Sequence, residues 1–74
     1  MDKARVSELV FEVTKEAEGG YSAECLTEDI FTQGDTWMDL RTNAKKSVRA
    51  YFHGTSLPEW IRLYLRHDEI LELG

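Results

Sequence analysis

Four carboxylates, Glu24, Glu28, Asp29 and Asp35, fall within one short stretch, GGYSAECLTEDIFTQGDT, running from Gly19 to Thr36. Acidic side chains so gathered raise two-metal hydrolysis, in which carboxylates converge on a pair of ions about 4 Å apart. The stretch also holds the lone cysteine, Cys25, a nucleophile only where a neighbouring base lowers its pKa. The local spacing supports neither chemistry. Glu24 occupies a strand position facing away from the core, Glu28 and Asp29 belong to a turn, and Asp35 sits at a helix start, so the carboxylates point apart. Cys25 alternates with Tyr21 and Ala23, the pattern of a small core residue. His53 and His67 lie in no HExxH or CxxC spacing and read as a helix-end and a turn histidine. GxSxG, P-loop and GxGxxG sequences do not occur, which removes support for hydrolase, nucleotide and dinucleotide assignments. No catalytic, cofactor-binding or metal-binding residue is assigned, and the chain is expected to be non-enzymatic.

The elements that position these residues must fit into 74 residues, one domain spanning 1–74. A chain this short buries only about 60% of its unfolded surface, so a second subunit would add needed burial, and a homo-oligomer is expected. One cysteine excludes an intrachain disulfide, and MDKARVSEL lacks the apolar run of a signal peptide. A reducing, cytoplasmic setting is expected. No apolar segment approaches the roughly 20 residues that span a bilayer, so no membrane partner is expected. Nine basic against fourteen acidic residues give a net charge of −5, which favours basic partners and disfavours direct contact with nucleic acid.

Alternation in VSELVFEVT predicts a strand from Val6 to Thr14, with Leu9, Phe11 and Val13 on one side. KEAEGG ends in a glycine pair able to take positive φ, and it predicts a hairpin turn. YSAECL predicts the return strand, TED a turn, and IFTQ a third short strand that Gly34 interrupts. Asp35 or Thr36 then supplies a helix cap, with Asp39 adding negative charge at the positive end. Trp37, Leu40, Ala44, Val48 and Tyr51 draw one apolar stripe along a helix ending near Phe52, with Gly54 as its left-handed stop. WIRLYLRH alternates again and predicts a fourth strand; EILEL either extends it or folds back as a fifth after a turn at His67 to Glu69.

The resulting order, β-β-β-α-β, is an α+β fold with one helix covering one face of a mostly antiparallel sheet. Leu9, Phe11, Val13, Tyr21, Ala23, Cys25, Ile61, Leu63 and Leu65 should meet the helix stripe. The opposite face carries Glu8, Val10, Glu12, Glu24, Leu26, Arg62, Tyr64 and Arg66. Tyrosine and arginine are enriched among interface hot spots, so Glu24, Arg62, Tyr64 and Arg66 are the candidate partner or oligomer interface. The strip Arg41, Lys45 and Arg49, with Lys46 beside it, is a second charged surface, and such helix faces are ordinarily solvated.

EGGYSAECL, followed by IFTQGDT opening a helix that carries Asn43, resembles the HicB-like antitoxin domain family, from about Val10 to Tyr51. The GGY strand start and the TQGDT helix start are the specific elements; the last strand agrees in kind rather than in letters. The resemblance implies a truncated RNase-H-like domain that neutralises a small basic HicA-type mRNA-cleaving toxin by occlusion. Within that resemblance it is expected to be a short form, without the C-terminal helix-turn-helix or ribbon-helix-helix module with which many members bind their operators. The alternative is a solitary homo-oligomeric structural or regulatory domain without a toxin. A metal-dependent nuclease or nucleic-acid binder is less favoured.

Overall fold

The computed structural model describes residues 7–67 and 69–74. Its elements are β1 (Glu8–Lys15), β2 (Tyr21–Cys25), β3 (Phe31–Gly34), α1 (Trp37–Tyr51) and β4 (Trp60–Leu65). The order is the β-β-β-α-β expected of the sequence. Val6, where the first strand was expected to begin, lies outside the described residues.

The sheet order is β3-β2-β1-β4, with β2 antiparallel to both β1 and β3, and β4 parallel to β1. The β1–β2 hairpin closes where Glu16 N–H donates to the Gly20 carbonyl at 2.9 Å. Gly19 and Gly20 stand at φ of 99° and 87°, a region that costs side-chain-bearing residues steric strain. β4 is led to its place on β1 by Glu59 and Trp60, whose N–H groups both donate to the Ser7 carbonyl, at 3.0 and 2.9 Å.

One sheet face is the core. Leu9, Phe11 and Val13 of β1 and Ala23 and Cys25 of β2 are buried there against Leu40, Ala44 and Val48 of α1, as their spacing predicted. Ile30, which leads into β3, joins this cluster. Tyr21 and Trp37 are half-buried and stack edge-on, with ring centroids 5.2 Å apart at 82°. Such pairs contribute about 0.5–1.5 kcal/mol beyond their buried area.

The helix start shows how the TQGDT run is built. Thr36, extended at φ −125°, is the N-cap, and its hydroxyl accepts from Asp39 N–H at 3.0 Å. A Cβ placed on Gly34 would meet the backbone nitrogen of Leu40, and would lie 2.8 Å from the Leu40 Cα. Only glycine lets the helix approach β3 so closely. Asn43, one turn further on, donates from Nδ2 to the Gln33 carbonyl at 2.8 Å and ties α1 to β3. The other end closes at Phe52, whose N–H donates to Val48 O, and Gly54 follows at φ 81°.

Two expectations are corrected. Leu65 and Tyr51, assigned to the core face and the helix stripe, are 48% and 47% exposed. The cause is lateral: α1 packs chiefly against β3 and then β2, leaving the inner face of β4 largely uncovered. Ile61 and Leu63 are accordingly only half-buried. EILEL is neither an extension of β4 nor a fifth strand: residues 69–74 have no regular structure and are exposed, and Asp68 of the expected turn lies outside the described residues.

Candidate functional site

The outer sheet face is set by strand alternation, since each inward Leu9, Phe11 or Val13 turns its neighbours outward. Register then composes its rows. Phe31 pairs with Glu24, Glu24 with Glu12, and Glu12 with Tyr64, so one row of four residues crosses the whole sheet. Its two ends are large and exposed, Phe31 at 62% and Tyr64 at 56%. Its centre is two carboxylates directly opposite one another, an arrangement that destabilises a sheet through like-charge repulsion. Among the described residues neither Glu12 nor Glu24 takes part in a salt bridge.

The next row supplies Leu26, whose N–H donates to Val10 O at 3.0 Å, then Val10 itself, then Arg62. Arg62 is engaged within the chain: Nε and Nη2 both reach Glu8 Oε2 at 2.9 Å. The pair is solvent-exposed, so it is worth at most about 1 kcal/mol. Arg66 follows the end of β4, and its N–H donates to Val13 O at 2.8 Å.

Of the four candidate interface residues, the structure gathers Arg62, Tyr64 and Arg66 along β4 and sets Glu24 two strands away, roughly 10 Å at normal strand spacing. Glu12 stands between Glu24 and Tyr64, so the face is continuous. Phe31 belongs to it as well. The signal was available, because Phe31 and Glu24 lie symmetrically about the β2–β3 turn, but the facing of so short a strand is fixed only by its register.

The remaining carboxylates are dispersed. Glu28 Oε1 accepts the Tyr51 hydroxyl at 3.0 Å, which raises the Tyr51 pKa above its ordinary value. That hydrogen bond is the main cause, with partial desolvation and the Glu28 charge adding in the same sense. Asp35 precedes the Thr36 cap. No group of three or more His, Cys, Asp or Glu side chains is placed to hold a metal ion among the described residues. Cys25 is buried, its Sγ 3.9 Å from the Thr27 hydroxyl. No helix among the described residues is long and apolar enough to cross a membrane.

Comparison with known proteins adds one finding. The chain is similar to a UPF0150 protein of Thermotoga maritima, with 40% identity over 45 residues. Those residues are 61% of this chain and 64% of that protein, so the likeness spans just under two thirds of the relative. No family profile matches the chain, and no solved structure matches it.

Proposed function

We propose that this domain is a non-enzymatic, cytoplasmic protein-binding module of the HicB-like antitoxin kind, which occludes a small basic mRNA-cleaving toxin of the HicA type. The observation that carries the reading is the row Phe31, Glu24, Glu12, Tyr64: two facing carboxylates without a salt bridge, bracketed by exposed aromatic rings. A face so arranged carries a standing electrostatic cost that a cationic partner would relieve, and its rings supply the anchors that interface hot spots use. The net charge of −5 steers encounter with such a partner. The GGY and TQGDT runs, and the likeness to the UPF0150 protein, support kinship with small domains of this type.

Capture from the native cell extract, followed by mass spectrometry of the retained protein, tests this. The wild-type chain is expected to retain one small basic protein, and E12Q/E24Q to lose it while unfolding at the same or a higher temperature. Arg62→Ala should alter association with little change in folding, since its ion pair is exposed. Retention of nothing but the chain itself, by wild type and variant alike, would overturn the toxin reading.

A second reading, a homo-oligomeric structural or regulatory domain without a toxin, is favoured by the exposed Ile70, Leu71 and Leu73. A neighbouring reading frame encoding a short basic protein separates the first reading from the second.

A further inference from the structure

Because α1 lies over β3 and β2, a groove of about 330 Å³ remains between the helix and the inner face of β4. Val48, Ile61 and Leu63 give it apolar walls, and Arg41, Lys45 and Arg49 line its helix side. The loop before β4 adds the Glu59 carboxylate, the one carboxylate among the described lining residues. Beside the groove runs a free sheet edge, since among the described residues β4 has β1 as its sole neighbour. Trp60 and Arg66 point their N–H groups at β1, onto Ser7 O and Val13 O. Strand alternation therefore turns the backbone groups of Ile61, Leu63 and Leu65 outward, ready to pair.

The same chain carries a segment with the complementary pattern. Residues 69–74, EILELG, combine two carboxylates with three aliphatic side chains. Ile70, Leu71 and Leu73 are 95%, 74% and 101% exposed, so the described residues of their own domain cover little of them. In an extended conformation Glu69, Leu71 and Leu73 share one side, so two leucines can enter an apolar groove while a carboxylate meets its basic rim.

We propose that the groove and the β4 edge seat the 69–74 segment of a second copy of this chain. The segment adds a strand beside β4, lays Leu71 and Leu73 over Ile61, Leu63 and Val48, and sets Glu69 against Arg41, Lys45 and Arg49. The exchange is reciprocal, so one two-fold dimer buries both segments and caps both edges. A short link after Leu65 would also let the segment fold back on its own edge, yet in the structure it does not, and stays exposed. This surface is separate from the outer face assigned to a basic partner, so the two stand or fall independently.

Sedimentation velocity on the full chain tests the proposal, with circular dichroism as the folding control. Wild type should be a dimer that weakens with added salt. L71D/L73D changes only exposed residues, so it should remain folded and run as a monomer, with the dimer dissociation constant raised at least about a hundredfold. R41E/K45E should dissociate likewise, and mixing it with E69K should restore a heterodimer that neither forms alone. A monomeric wild type, a dimer unchanged by L71D/L73D, or loss of the dimer through Tyr64→Ala alone would overturn the assignment. So would a monomer whose 69–74 amides are protected from hydrogen exchange, which is the mark of a segment folded back on its own edge.

Discussion

Asn43 reaches from the second turn of α1 to the backbone of β3, its Nδ2 donating to the Gln33 carbonyl at 2.8 Å. With Thr36 at the cap and Gly34 at the point of closest approach, this bond fixes the angle at which the helix leaves the strand. Gly34, Thr36 and Asn43 are therefore construction residues. The four carboxylates around them serve turns, a capped helix end and the outer face.

Asn43→Ala removes the donor and leaves an exposed carbonyl to water. The expected loss is about 0.5–1.5 kcal/mol in urea unfolding, the usual worth of one intramolecular hydrogen bond. The slope of the transition should not change, because no surface is newly exposed. A neutral result would show that backbone packing alone holds α1 on β3.

Gly34→Ala should cost more. The new methyl meets backbone atoms of Asp39 and Leu40, which cannot rotate away as a flexible side chain would. Overpacking of this kind costs about 1–3 kcal/mol, occasionally more. Gly74→Ala, which meets nothing, is the control and should melt with wild type.

Tyr51 should titrate above its ordinary value, followed by phenolate absorbance, because its hydroxyl donates to Glu28. The sign of the linked stability follows. A group whose folded pKa is raised favours the fold while protonated, so its contribution is whole below the unfolded value of about 10 and fades as pH climbs through the folded one. Glu28→Ala should move Tyr51 back toward its ordinary value and weaken that alkaline dependence.

Much of this architecture could be read from residue order, for identifiable reasons. The period of two in Leu9, Phe11, Val13 and again in Ile61, Leu63 is a property of single strands, and it survived folding intact. Thr36 and Gly54 mark helix ends through local backbone geometry, which neighbours in sequence dictate. What periodicity does not encode is where a helix lies across a sheet. Leu65 and Tyr51 obey their patterns and are half exposed all the same, because α1 sits toward β3. Ile30 was read as the first residue of the IFTQ strand, but so short a run does not show which side faces the core, and the fold alone shows Ile30 to be buried. The candidate face divides the same way. Arg62, Tyr64 and Arg66 share a strand and were grouped by alternation, whereas the meeting of Glu12 with Glu24 and of Phe31 with Glu24 depends on inter-strand register.

The parallel pairing of β4 with β1 has a consequence for how the chain comes into being. Glu8 must wait for Trp60, so as the chain folds the β1–β2 hairpin can form locally while the other flank of β1 stays open until β4 docks. Docking of β4 thus closes the sheet, and an intermediate without it would leave β1, which gives Leu9, Phe11 and Val13 to the core, at a naked border.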